Sequence, residues 1–96
     1  MLFVFFAQDV PDSLAQRLAA RPDHLARLTE LDKAGRLVLA GPNPNLAGEG
    51  FTGSLIVADF EDIKAAEAWA KADPYQAAGV YQSVAIKPFK QVLPAA

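Results

Sequence analysis

The chain contains 96 residues, carries a formal net charge of −2, and is 52% hydrophobic, with one histidine and no cysteine. This hydrophobic content is too high for a disordered segment, and the absence of cysteine excludes disulfides, thiolate zinc sites and a cysteine nucleophile. The scattered Lys and Arg argue against a nucleic acid or an acidic lipid surface as the partner, because either would require a basic face.

The length predicts a single domain over residues 1–96. A domain of this size buries only about 60–68% of the surface that its unfolded chain exposes, so a second copy would help to stabilise its thin core. No stretch approaches the roughly 18 apolar residues of a membrane span. The apolar run Met1–Ala7 is too short for a signal peptide and has no basic flank. We therefore expect a cytoplasmic protein.

The first two predicted elements are a strand and a long helix. Leu2 to Gln8 is rich in Phe and Val and predicts a strand. The turn that follows offers Asp12 or Ser13 as the N-cap of a helix. The helix itself is indicated by leucines at helical spacing, namely Leu14, Leu18, Leu25, Leu28 and Leu31. Pro22 interrupts this run and predicts a kink or two abutting helices, and Gly35 predicts the C-terminal end.

The rest of the chain predicts three further strands and a second helix. In order, there is a strand at Arg36–Gly41, a loop at Pro42–Gly50, a strand at Phe51–Phe60, a helix at Asp62–Ala72, a further helical turn from Asp73 to Gly79, and a strand at Val80–Phe89. The order β-α-β-β-α-β is the ferredoxin-like pattern, in which two helices cover one face of a four-stranded antiparallel sheet. Four aromatic side chains are interpreted as core residues: Phe51, Phe60, Trp69 and Phe89.

The predicted strands are apolar on both sides. In the first strand Leu2, Val4 and Phe6 lie on one face, and Phe3 and Phe5 lie on the other. Strands of this kind need cover on both faces. The helices cover one face, so we expect the sheet of a second copy to cover the other and to form a homodimer. A monomer with a half-wet sheet is the alternative.

His24 is the first candidate for chemistry, because histidine is the residue type that gains or loses a proton near neutral pH. On a continuous helix Arg17, Arg21 and His24 share one face at i, i+4 and i+7. Two guanidiniums and an imidazole suit a small anion such as a carboxylate. The alternative is an ordinary solvated helix face. One histidine and scattered carboxylates disfavour a metal site built from protein ligands alone.

The segment Asp73–Tyr75 and Ser54 are the other candidates. Asp73 could orient and polarise His24, as carboxylates do in many acid–base sites, and Tyr75 would add a hydroxyl. The alternative for Asp73 is structural, because Asp followed by Pro at the first helical position is a typical helix start. Ser54 lies in a strand and not in a nucleophile elbow, so we expect it to hydrogen-bond a ligand or the backbone.

Eight short motifs, in order along nearly the whole chain, resemble those of the YciI-like (YCII-related) family. They are Arg17 to Leu25 in the form R-x3-R-P-x-H-L, Gly35-Arg36-Leu37, Gly41-Pro42, Gly50-Phe51-Thr52-Gly53-Ser54, Ala68-Trp69-Ala70, Asp73-Pro74-Tyr75, Gly79-Val80-Tyr81 and Lys87-Pro88-Phe89. The resemblance implies a single YCII-related domain and a dimeric α+β barrel, in which two four-stranded sheets pack together.

The resemblance also implies a cleft in each subunit that holds a His–Asp pair, here His24 and Asp73. Ser54 matches the serine position of the family, and Tyr75 follows the matching Asp-Pro. A relative within the family is described as a dehydrochlorinase that resembles muconolactone isomerases. By analogy, lyase or isomerase chemistry on a small organic acid is expected.

Three hypotheses for function follow. The first is an enzyme without cofactor, in which neutral His24 takes or returns a proton next to a carbonyl or carboxylate, Asp73 fixes its tautomer, and Arg17 or Arg21 holds the anion. The second is a small-molecule-binding accessory or sensor domain without catalysis. The third is a purely structural dimer whose polar residues are caps and solvated faces.

Overall fold

A computed structural model describes residues 1–95, and the last position of the predicted domain, residue 96, lies outside that range. The elements are β1 (Leu2–Asp9), α1 (Leu14–Lys33), β2 (Leu37–Pro44), β3 (Phe51–Asp59), α2 (Ile63–Lys71), α3 (Pro74–Ala77) and β4 (Tyr81–Phe89). The strands form one antiparallel sheet in the order β2-β3-β1-β4. The fold is therefore ferredoxin-like α+β, as the element order predicted. Within the described residues, no helix is long and apolar enough to cross a membrane.

Pro22 does not divide α1, which runs unbroken from Leu14 to Lys33. Of the two predicted alternatives, a kink or two abutting helices, the second is wrong. Proline removes one backbone donor from the helix, but most helical stability comes from the packing of a face against the rest of the protein. Here Leu28 and Leu31, both after Pro22, belong to the core and hold the second half of α1 on the sheet.

The buried stripe of α1 is partly polar. Its members are Arg17, His24, Leu28 and Leu31. Leu18 and Leu25, which the spacing of the leucines assigned to the same stripe, are instead partly exposed. The helix is thus rotated so that an arginine and a histidine face the sheet, and buried polar groups of this kind require partners.

Strand β2 continues through Pro42 to Pro44, where the sequence predicted a loop. The strand lies at the edge of the sheet, next to β3 alone. An edge strand tolerates proline because the missing amide hydrogen faces solvent and not a neighbouring strand. This extension places Pro42 opposite Ser54 in the strand register.

The two faces of the sheet differ in how they are covered. On the helical side, Phe3 and Phe5 are buried with residues of α1 and α2. On the other side, Phe6, Leu39 and Phe89 are 57%, 48% and 43% exposed. The strands are therefore apolar on both sides, and one face is left open in a single copy.

Candidate functional site

A cavity of about 240 Å³ opens between α1, α3 and the β2–β3 half of the sheet. We call it the His24 cavity. Its polar lining consists of Arg17, Arg21, His24, Ser54 and Tyr75. These are all of the predicted site residues except Asp73, which lies behind His24. Leucine side chains of α1 and the Phe51 ring contribute apolar walls.

His24 and Asp73 form a buried pair. The His24 Nδ1 atom lies 2.9 Å from Oδ1 and 3.1 Å from Oδ2 of Asp73, and both side chains are less than 8% exposed. An ionised carboxylate only accepts hydrogen bonds, so it places the imidazole proton on Nδ1 and leaves Nε2 as an acceptor. Among residues 1–95, Nε2 has no hydrogen-bond partner. It is the nitrogen available to a ligand in the cavity.

Asp73 is at the same time the N-cap of α3. Its Oδ1 accepts a hydrogen bond of 2.9 Å from the backbone N–H of Tyr75. The same carboxylate can therefore cap α3 and hydrogen-bond His24 at the same time. The cap fixes the carboxylate on the backbone, and the fixed carboxylate in turn holds the His24 ring.

Tyr75 orients His24 from a second direction. The two rings stack with centroids 3.9 Å apart and an angle of 11° between their planes. The Arg17 guanidinium lies 4.7 Å from the centre of the same Tyr75 ring. Burial raises the pKa of the Tyr75 hydroxyl despite the opposing effect of Arg17, so the phenol is neutral at pH 7.

Arg17 is committed to protein partners. Its Nε donates to Asp9 Oδ2 at 2.9 Å, and its Nη2 donates to Asp9 Oδ1 at 3.2 Å, to the Gly53 carbonyl at 2.9 Å and to Ser54 Oγ at 2.7 Å. Burial lowers the Arg17 pKa, but the hydrogen bond and the charge of Asp9 outweigh this effect, and the pKa is raised. Asp9 thus neutralises Arg17, whereas the exposed Arg21 lines the cavity without an ion pair inside the described part of the chain.

Ser54 lies on β3, buried beneath α1. Gly53 before it is required, because an added Cβ would collide with the carbonyl oxygen of Ala7. The hydroxyl of Tyr81 is buried next to Ser54, yet it makes no hydrogen bond of good geometry to any of the described residues. Burial raises the pKa of Tyr81.

Three residues of the site were missed or misassigned from the sequence. Asp9 and Tyr81 were not considered as site residues. Asp9 lies at the end of β1 with no motif around it, and Tyr81, although it ends the Gly79-Val80-Tyr81 motif, lies at the start of β4 with no other candidate residue beside it in the sequence. The assignment of Phe51 to the core is wrong: it is 38% exposed and lies 5.5 Å from the Arg17 guanidinium on the cavity wall. Phe51 is the first residue of β3. Over residues 1–95, no three histidine or carboxylate side chains are grouped as metal ligands.

Comparison with known proteins shows the family. The model of the YCII-related domain matches residues 1–90, and the chain belongs to this family. It is 56% identical over 97 residues to Protein YciI of Escherichia coli O6:H1, covering 96% of this chain and 99% of the relative. It is 53% identical, with the same coverage, to an uncharacterized protein of Haemophilus influenzae.

A solved structure is similar over most of its length. It is 5-chloro-2-hydroxyhydroquinone dehydrochlorinase from Burkholderia phenoliruptrix AC1100, in complex with 2,5-dihydroxybenzoquinone. The TM-score is 0.84, the sequence identity is 28%, and the alignment covers 94% of each chain. The likeness confirms the ferredoxin-like α+β fold.

Proposed function

We propose that this protein is a cofactor-independent acid–base enzyme in which His24 is the base and Asp73 is its orienting partner. The observation that carries the proposal is the buried Asp73–His24 hydrogen bond at a cavity, with Nε2 making no hydrogen bond within the described range 1–95. Histidine with one nitrogen fixed by a carboxylate and the other facing the substrate is the arrangement of a general base. Such a base supplies about 10²–10⁴-fold of rate, which suits substrates whose protons are already activated.

In the proposed reaction Nε2 removes a proton from a carbon next to a carbonyl group. The electron pair of the broken C–H bond forms a carbon–carbon double bond, and the carbonyl oxygen gains negative charge. In a lyase this charge returns and expels an anionic leaving group with its electron pair. In an isomerase His24 returns the proton to a different carbon. Arg21 lines the cavity and forms no ion pair with any of residues 1–95, and in this proposal it holds the anionic group of the substrate.

The cavity favours a small, ring-sized substrate. Its volume of about 240 Å³ lies below the usual range of about 300–1,000 Å³ for drug-sized ligands. Leu18, Leu25 and Phe51 provide apolar contacts, and the polar groups lie along the side formed by α1 and β3. The similar dehydrochlorinase was solved with 2,5-dihydroxybenzoquinone, which supports an oxygenated single ring as the substrate class. This quinone is therefore a suitable probe of the cavity.

The test is proton transfer to and from candidate substrates. Small cyclic oxo and hydroxy acids and the quinone probe are incubated with the protein in D₂O, and loss of C–H signals or formation of product is followed by NMR. His24→Gln should abolish turnover, whereas Gln16→Ala, an exposed change on the same helix, should leave it intact. A fully active His24→Gln protein overturns the proposal. A ligand that binds and is recovered unchanged favours the alternative, a binding accessory or sensor domain.

We also propose that the active unit is a homodimer, with residues 1–96 of each copy acting as one domain. The support is the apolar open face of the sheet, where Phe6, Leu39 and Phe89 are solvent-exposed in one copy, since exposed apolar patches mark association sites. Phe6→Glu should give a monomer in sedimentation analysis, and Ile63→Glu, on the helical side, should not. An unchanged Phe6→Glu oligomer rules out this interface. The cytoplasmic location and the absence of nucleic-acid, membrane, metal and cofactor partners stay predictions.

A further inference from the structure

Two buried carboxylates, and not one, are connected to the His24 cavity. Asp73 holds His24, and Asp9 holds Arg17, which contacts Ser54. We propose that Asp9 is a positioning residue that, through Arg17, directs the hydroxyl of Ser54 toward an oxygen atom of the bound substrate. This inference rests on the proposed function and deepens it, because it supplies the group that meets the negative charge created when His24 removes a proton.

The first step is the fixing of Arg17. Both oxygens of Asp9 accept hydrogen bonds from the guanidinium, at 2.9 and 3.2 Å, and both side chains are 5% exposed or less. A two-point contact of this kind fixes the plane of the guanidinium as well as its place. The rings of Phe51 and Tyr75 lie 5.5 and 4.7 Å from its central carbon and further restrict it.

The second step is the direction of the Ser54 proton. A guanidinium has no acceptor, so the 2.7 Å contact between Arg17 Nη2 and Ser54 Oγ is a hydrogen bond that Ser54 accepts. The hydroxyl proton of Ser54 must therefore point elsewhere. The buried Tyr81 hydroxyl is close to Ser54, but it makes no hydrogen bond of good geometry with any of residues 1–95. Ser54 also lines the His24 cavity, which is the remaining direction for its proton.

The third step is chemical. A hydroxyl that accepts a charge-assisted hydrogen bond is a stronger donor toward its own acceptor, because hydrogen bonds in a chain polarise one another. Donors fixed in advance at the place where negative charge develops are a large source of rate enhancement. The Asp9–Arg17–Ser54 chain thus meets the substrate oxygen, while the Asp73–His24 pair moves the proton.

The alternative is that the Asp9–Arg17 ion pair only stabilises the fold. A double-mutant cycle distinguishes this structural role from the proposed positioning of Ser54. The affinity for the quinone probe is measured by absorbance titration of the full-length protein for wild type, Asp9→Asn, Ser54→Ala and the double variant. Each single change should weaken binding by about tenfold, the effect of one hydrogen bond with a charged or polarised group. Because Asp9 acts through Ser54, the double variant should bind no more weakly than Ser54→Ala alone.

A second variant keeps the test decisive if Asp9→Asn does not fold, since it leaves the buried Arg17 charge without its partner. Arg17→Lys retains a cation beside Asp9 but cannot make the two-point contact. It should show the same tenfold loss, which again disappears in the Ser54→Ala background. The control is Asp62→Asn. Asp62 is an exposed N-cap of α2 that does not line the His24 cavity, so this variant should bind like wild type.

Several results overturn the proposal. The first is wild-type quinone affinity in Asp9→Asn or in Arg17→Lys. The second is a loss of quinone affinity from either change that is as large in the Ser54→Ala background as in the wild-type background. The third is a wild-type protein that does not bind the quinone. Failure of the proposed catalysis is a separate result, because the cycle measures affinity and not turnover. If His24→Gln retains full activity while the cycle behaves as expected, His24 is not the base and the role of Asp9 stands.

Discussion

Replacing Asp73 by Asn should reverse the tautomer of His24 while keeping α3 capped. In the native site Asp73 Oδ1 accepts hydrogen bonds from Tyr75 N–H and His24 Nδ1, each at 2.9 Å, and Oδ2 lies 3.1 Å from the same Nδ1. Asn is as good an N-cap as Asp, but the cap needs an oxygen at the Oδ1 position. The amide NH₂ then takes the Oδ2 position, where it donates to Nδ1. A proton on Nδ1 would face this NH₂ at 3.1 Å, donor against donor, and Oδ1 already accepts from the Tyr75 N–H. We therefore expect His24 to carry its proton on Nε2 and to lose its acceptor in the cavity.

The size of the effect follows from the bonds exchanged. A hydrogen bond to a charged group contributes about 1.5–3 kcal/mol and a neutral one about 1 kcal/mol. Asp73→Asn should therefore lower the free energy of unfolding by only about 1–2 kcal/mol, and the protein should stay folded. Activity should fall much further, by about 10²–10⁴-fold, because the general base is no longer available. The corresponding exchange in serine-protease triads lowers turnover by about 10⁴-fold for the same reason.

The assay is a long-range ¹H–¹⁵N NMR spectrum at a pH where imidazole is neutral. The chain has a single histidine, so its two ring-nitrogen signals need no assignment. Wild type should show the proton on Nδ1, and Asp73→Asn should show it on Nε2. Asp62→Asn is the matched control, because Asp62 caps α2 by accepting a hydrogen bond from Ala65 N–H and, within residues 1–95, makes no hydrogen bond to the histidine. An Nδ1-protonated ring in Asp73→Asn refutes the reasoning.

Two further predictions concern stability and ionisation. Gly53→Ala should lose about 3 kcal/mol or more, because an added Cβ collides with the Ala7 carbonyl, whereas Gly41→Ala, with open space around the added carbon, should stay within about 1 kcal/mol of wild type in urea. Equal stability of the two variants contradicts the contact. In an ultraviolet titration Tyr75 and Tyr81 should ionise above the ordinary tyrosine pKa of 10.0, because burial raises both pKa values. The stability that their neutral forms contribute is complete below that pH and is lost as the pH rises through the folded-state values, and a native titration that matches the one in denaturant rules this out.

Much of the fold could be predicted because it depends on local patterns. The seven elements follow from apolar periodicity and from breakers such as Gly35, which adopts a positive φ of 72° just after α1. The incorrect predictions of the fold arose where the tertiary surroundings of a residue determined its local structure. Pro22 was tolerated because α1 is held by its packing, and Pro42 because β2 is an edge strand. Neither circumstance can be seen in the residues next to the proline.

The candidate site likewise contains residues that could be predicted from the sequence and residues that could not. The resemblance to the YCII-related family implied that His24 and Asp73 share one site, although they are 49 positions apart, and the structure brings them to hydrogen-bonding distance. No comparable pattern marks Asp9. Arg17 therefore looked like a free anion-binding group, whereas the structure shows it neutralised.

The sequence by itself determined the order of strands and helices and the family, because periodicity, turn chemistry and ordered motifs are written along the chain. The pairing of His24 with Asp73 was implied by the resemblance to that family. Only the tertiary structure decided which polar side chains share a charge. Arg17 finds one partner 8 residues away across a turn and another 37 residues away on a different strand. Those contacts depend on the rotation of α1 and on the strand register, and both are set by the packing of the whole core.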